Sequence, residues 1–253
     1  ALQAGECFLF PNLFPLSAVH AVVVLGEAHV RRLRDFNTAL LRDGLQVSVD
    51  FARTLRDRAP ENKWFTINSN YLFPAGASIV HPHLQVFGGR YPATAVSELL
   101  DCSEAFKERF GFEYFDQLVA QERENGERFV ATSGRVHWLA PFAPVGTNEF
   151  IAVLPGCNHL LELTGEDIAN LAEGLSQVLA YYDHIGFSTF NFTIYSSPLD
   201  GKRASFPLFT RVICRQNVRA NYRTDDYFIQ KLLGEELMLT TPETLAAGLR
   251  EFW

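Results

Sequence analysis

Two long amphipathic segments, each set among strand-length apolar runs in a recurring order, constrain this chain more than any other feature. In the first, the run at 20–25 leads into a stretch with apolar residues at Val30, Leu33, Phe36, Leu40 and Leu41 and charges between them. That spacing predicts a helix, continued by Val47, Phe51 and Leu55, with Gly44 as a point of interruption. The breaker Ala59-Pro60-Glu61-Asn62 separates it from two further strand-like runs, 64–68 and 78–87. In the second copy, 137–142 and 149–154 read as strands, and Thr164 reads as the cap of a helix through Ile168, Leu171, Leu175, Val178, Leu179 and Tyr182. Strands at 189–195 and 208–215 complete the repeat around a polar turn. Between the copies, 98–126 is charged and reads as a helical connection or lid, and the tail 222–253 carries a helix that starts at Thr241-Pro242-Glu243. The expectation is an α+β protein of mainly antiparallel sheets with flanking helices, in two tandem halves at 1–130 and 131–253.

Charge and cysteine usage narrow the function classes. The formal charge is −7, from 29 acidic against 22 basic residues, which argues against general attraction to nucleic acid. A small phosphorylated ligand needs only a few local donors and is not excluded. No run approaches the roughly 20 apolar residues of a membrane span, and no basic-then-apolar leader is visible. Cys7, Cys102, Cys157 and Cys214 form no close pair, as expected of reduced thiols in a cytoplasmic protein. The chain opens on Ala1 and not Met, so we expect it to begin inside a longer gene product or after a removed tag.

The chemistry concentrates in His81-Pro82-His83-Leu84-Gln85. In a strand, alternate side chains share a face, which would place His81, His83 and Gln85 together. A neutral imidazole can attack phosphorus, and an amide N–H can hold a non-bridging oxygen while charge shifts. Pro82 suits an edge strand, where a substrate can approach, and Gly88-Gly89 lets the chain turn afterwards. Asn68-Ser69-Asn70 and Gly76-Ala77-Ser78 concentrate amide and small side chains just upstream.

From Asn70 through Gly76-Ala77-Ser78 to Gln85, the segment resembles the active-site region of galactose-1-phosphate uridylyltransferases, a branch of the histidine-triad superfamily. Phe10-Pro11-Asn12, the strand after it and His29 resemble that family's nucleoside-binding region, and residues 135–164 resemble the start of its second half. The resemblance implies two histidine-triad-like halves, the active site in the first and a degenerate site in the second. It implies that His83 attacks the α-phosphate of a nucleoside-diphosphate sugar and holds the nucleotide until a sugar 1-phosphate accepts it. Gln85 would hold a phosphate oxygen, Asn70, Gly76 and Ser78 would line the phosphate pocket, and Phe10 and Asn12 would flank base and ribose. The partners so implied are a nucleotide sugar and a sugar phosphate, with a homodimer as the assembly. Two alternatives stand beside this reading: a phosphorylase or hydrolase of adenosine diphosphosugars or dinucleoside polyphosphates, and a nucleotide-binding relative without turnover.

The resemblance is incomplete in three places. The family's structural zinc uses a cysteine pair and two histidines; His29 and His81 match the histidines, and the cysteine pair is not in this sequence. The stretch 205–214 has no histidine, so a second metal site is expected to be absent. After Tyr222, Asp225, Asp226, Gln230 and Lys231 do not reproduce the family's pattern for the hexose phosphate. Other candidates carry bland readings: His137 and His159 as structural, Arg31, Arg32 and Arg34 as a solvated helix face, and Lys202-Arg203 as a weak phosphate contact.

Overall fold

Alternation of side chains organises the sheet. Along β4 (Trp64–Tyr71) and β5 (His83–Gly89), buried and half-buried residues alternate without a break. The buried set, Phe65, Ile67, Leu84 and Val86 among it, points into the core, and the polar set points the other way. A computed structural model describes residues 2–203, 206–218, 230, 232, 236 and 238–253. The remaining strands are β1 (Gln3–Ala4), β2 (Cys7–Pro11), β3 (Val19–Leu25), β6 (Phe129–Ser133), β7 (Val136–Leu139), β8 (Phe150–Val153), β9 (Thr189–Tyr195) and β10 (Phe209–Arg215).

Among the described residues these strands form one antiparallel sheet in the order β1-β2-β3-β5-β4-β9-β10-β8-β7-β6. The order is a mirror repeat: β1 to β5 run inward to β4, and β6 to β10 run inward to β9. The expected duplication is thus built into a single sheet joined at β4 and β9, where Asn68 faces Thr193 and Asn70 faces Asn191. The expected boundary at 130/131 falls inside β6, and one apolar core runs through both halves.

Helix α1 (Thr38–Arg58) and helix α4 (Gly165–His184) pack on each other and on the core face of the sheet. The expected helix from Val30 instead begins at Thr38, because the Asn37 side chain accepts the Leu40 N–H and caps it there. Leu33–Asp35 forms a separate 3-10 turn. Gly44 does not interrupt α1. A Cβ there would sit 2.5 Å from Leu25 Cδ2, so glycine lets the helix approach the sheet. Helices α2 (Thr94–Phe110) and α3 (Tyr114–Asn125) fulfil the expected helical connection. Val96, Leu100, Phe115 and Val119 cover Leu139, Ile151, Val153 and Phe209 on the other face of the second half. The helix α5 (Pro242–Arg250) starts on Thr241, as its Thr-Pro-Glu signal predicts. Most of 222–237, including Asp225, Asp226 and Lys231, lies outside the described residues. No helix among those described is long and apolar enough to cross a membrane.

Within the second half, a compact ion pair ties the turn between β6 and β7 to α4. Arg135 donates to both oxygens of Asp167 at 2.7 Å, and Thr164 adds its N–H and hydroxyl. Arg135, with those Thr164 bonds, holds the Asp167 carboxyl down from the usual 3.8 to about 2. A carboxyl depressed in the folded state adds stability that is complete above its unfolded value and disappears as pH falls through its folded one. Unfolding titrations should therefore show wild-type protein losing stability between about pH 4 and pH 2, and Asp167→Asn showing a flatter slope across that window.

Candidate active site

His83 is the first residue of β5, and its side chain lies on the face away from the core. Its Nδ1 lies 2.7 Å from the carbonyl oxygen of His81, an atom that only accepts, so the proton is assigned to Nδ1 and Nε2 keeps its lone pair. The expected sharing of a strand face by His81, His83 and Gln85 holds for the last two only. The strand begins at His83, and 78–82 is a connection and not the start of a strand. Pro82 lacks a ladder N–H and sits just before β5, its carbonyl accepting the Leu25 N–H at 3.0 Å. Nor is β5 an edge strand, since β3 and β4 flank it. His81 thus meets His83 through its backbone, not its ring.

Gln85 follows on the same face, and its orientation is set by a residue that the motif did not single out. His20 of β3 is 7% exposed, and its Nδ1 accepts the Leu16 N–H at 3.1 Å. The His20 proton therefore lies on Nε2 and is donated to Gln85 Oε1 at 2.9 Å. With its oxygen engaged by His20, the Gln85 amide nitrogen is the end of the side chain left to donate. His20 lies in an apolar strand, where alternation alone would class it as core; the cross-strand pairing of Val22 with Gln85 brings it into the site. Asn12 Oδ1 accepts the Phe14 N–H, so its Nδ2 is a donor and, although 3.0 Å from His20 Nε2, gains no hydrogen bond from that protonated nitrogen. Phe10 stands opposite Val22 on β2 and is 40% exposed.

Across the sheet the polar row continues. Asn68 donates to the Gln85 carbonyl and accepts from Thr193 Oγ1, and Asn70 Oδ1 accepts from Asn191 Nδ2 at 2.7 Å. Beyond Tyr71 the chain turns sharply at Leu72 (φ 65°) into the 3-10 turn Phe73–Ala75. Gly76 ends that turn at φ 82°, a region open to glycine, and a Cβ there would meet nothing within 4 Å. Exposed Ser78 lies in the connection from Gly76 to Pro82. Beside Phe87 and Gly89, Trp64, Thr66 and Tyr91 help to wall a cavity of about 200 Å³.

His29 and His81 face each other, with Nδ1 atoms 2.9 Å apart. Among the described residues, however, no third His, Cys, Asp or Glu joins them in a group able to hold a metal. His81 Nε2 lies 2.8 Å from the Gly26 carbonyl, which places a proton there and leaves His81 Nδ1 to accept from His29. By themselves, the residues present do not complete a tetrahedral zinc site. Of the remaining candidates, Arg203 is paired with Asp101 and Glu104, Arg34 with Asp183, and Arg31 with Glu6 across 3.7 Å. Burial pushes the Cys7 and Cys157 thiols up to about 12, so neither serves as a nucleophile.

No family model matches the chain. An uncharacterised protein of Archaeoglobus fulgidus is 29% identical over 252 residues, covering 99% of this chain and 74% of that protein. A galactose-1-phosphate uridylyltransferase of Neurospora crassa is 27% identical over 182 residues, covering 70% of this chain and 46% of that enzyme. Among solved structures, a uridylyltransferase superposes with a TM-score of 0.85 at 19% identity, over 99% of this chain and 85% of the other. The ADP-glucose phosphorylase of Arabidopsis thaliana, solved with bound ADP-glucose, gives 0.79 at 19% identity over 97% and 82%. The expected two-half fold is therefore the fold of these enzymes.

Proposed function

Starting from the fold of the uridylyltransferases, we propose that this chain is a nucleotidyltransferase in which His83 carries the nucleotide. The observation that supports the reading most directly is the His83 ring, with Nδ1 donating to a carbonyl and Nε2 left as a nucleophile beside the Gln85 amide. In the first step Nε2 attacks the α-phosphorus of a nucleoside-diphosphate sugar. The bond from that phosphorus to the bridging oxygen breaks, and the sugar 1-phosphate leaves with the electron pair. The cationic nucleotidyl-histidine keeps its Nδ1–H on the His81 carbonyl, whose dipole supports the charge. In the second step an oxygen of another sugar phosphate attacks phosphorus, and the pair of the P–N bond returns to Nε2. No proton moves at His83 in either step.

Gln85 and Asn70 supply amide donors to the non-bridging oxygens, where charge builds during transfer. Gly76 and Ser78 line the phosphate pocket, and Phe10 and Asn12 flank the base and ribose. Incubation with α-phosphate-labelled UDP-glucose or ADP-glucose should yield an acid-labile label on His83. Absence of label from every nucleotide sugar tried, with folded protein, would sink the reading. Offering glucose 1-phosphate, galactose 1-phosphate, inorganic phosphate or water to the labelled protein then separates transferase, phosphorylase and hydrolase. Gln85→Leu keeps the volume and removes the donor, and should slow labelling about 100-fold. Rapid-quench measurement of the labelling rate checks this, and an unchanged rate would remove Gln85 from the proposed chemistry.

A further inference from the structure

The second half has no histidine on β10 and looks, from sequence, like a spectator. Its strand β9 nevertheless reaches the first half's site through Asn191. Both N–H donors of that side chain and its oxygen are engaged: Nδ2 donates to Ala75 O at 2.8 Å and to Asn70 Oδ1 at 2.7 Å, and Oδ1 accepts from Arg215 Nη1 at 3.0 Å. A carbonyl can only accept and a guanidinium can only donate, so the Asn191 amide has a single allowed orientation. Its second N–H must then meet an oxygen on Asn70, and the Asn70 amide nitrogen is turned the other way. Among the described residues, that nitrogen has no hydrogen-bond partner. The same Asn191 holds the carbonyl of Ala75, the last residue of the turn that starts at the positive-φ Leu72 and delivers Gly76.

We propose that Asn191, oriented by Arg215, is a positioning residue for the His83 site: it turns the Asn70 amide N–H groups toward the incoming phosphate and anchors the turn before Gly76. Its consequence for rate rests on the nucleotidyl-transfer reading; its geometry does not. Asn191→Asp keeps the partnership with Arg215 but cannot donate. The Asn70 amide should flip to donate to the new carboxylate, presenting its oxygen to the phosphate. Labelling of His83 should slow about 100-fold, as for loss of a transition-state donor. Asn191→Ala, which does not force the flip, should cost less. In an Asn70→Ala background, Asn191→Asp should cost less than it does beside an intact Asn70, keeping only the loss of the Ala75 anchor, because residues acting as a unit are not additive.

The ligand-free protein supplies an independent readout. With nitrogen-15 in the asparagine side chains, the Asn70 amide signal is identified by its loss in Asn70→Ala. It should shift and gain protection from solvent exchange in Asn191→Asp. An unmoved Asn70 signal, or an equal loss of rate with and without Asn70, overturns the proposal. A moved signal in a protein whose wild type takes no label keeps the positioning role and overturns the nucleotidyl-transfer reading instead.

Discussion

Replacing His83 by alanine is expected to abolish nucleotide labelling, with a rate loss of about 10⁴-fold or more, while the fold stays intact. The loss is large because the described neighbours of His83 offer no second unengaged imidazole nitrogen to form the P–N bond. Gln85 and Asn70 offer amides, His20 has its nitrogens engaged by Leu16 and Gln85, and His81 has its own engaged by His29 and Gly26. The fold should survive because the His83 ring lies on the half-buried face of β5 and not among Leu84, Val86 and their core partners. Rapid-quench labelling and a urea unfolding curve on the same preparation check both halves of the statement. Residual labelling within tenfold of wild type would move the nucleophile elsewhere.

The largest expected change in stability lies far from the site. Trp138 of β7 is fully buried against α4, where Gly174 leaves room for it: a Cβ on Gly174 would lie 2.1 Å from Trp138 Nε1. Among the described residues that nitrogen has no hydrogen-bond partner, so truncation sacrifices packing. Trp138→Ala should cost about 3–5 kcal/mol, the usual loss for a large aromatic side chain removed from a core. Gly174→Ala sets two effects against each other. Helix propensity favours alanine by about 1 kcal/mol, whereas forcing aside a rigid, enclosed indole costs about 1–3 kcal/mol or more. We expect the clash to win and the urea midpoint to fall. In the double variant the vacated indole space should accept the new methyl group, so the combined loss should be smaller than the sum by about 1 kcal/mol or more. A raised midpoint for Gly174→Ala alone would show that the indole moves easily.

Several features were legible before any coordinates. The two amphipathic periods became α1 and α4, and 189–195 became β9 with the same ends. These elements are local: a period of apolar residues decides which face is buried, whatever lies beyond. The helix start at Thr38 was harder to read, because Leu33 and Phe36 continue the apolar period and are buried, but in a 3-10 turn and the link after it. His81 reads as part of the strand because Ser78, Ile79 and Val80 look strand-like in composition, whereas the ladder begins only after Pro82.

His83 and Gln85 could be found from residue type and spacing alone, since a strand puts every second side chain on one face by geometry. Their neighbours could not. His20, Asn70 and Asn191 come together 65, 15 and 106 residues from Gln85, by subtraction of positions, and their contacts depend on which strands are adjacent and in what register. The amino-acid sequence alone determined the repeat, the helices and the strand that carries His83 and Gln85, because each follows from short-range periodicity. Only the tertiary structure decided that β4 and β9 join the halves, so that the second half's Asn191 orients an amide in the first. A one-residue slip in that pairing would turn Asn191 to the opposite face, and no local pattern records the pairing.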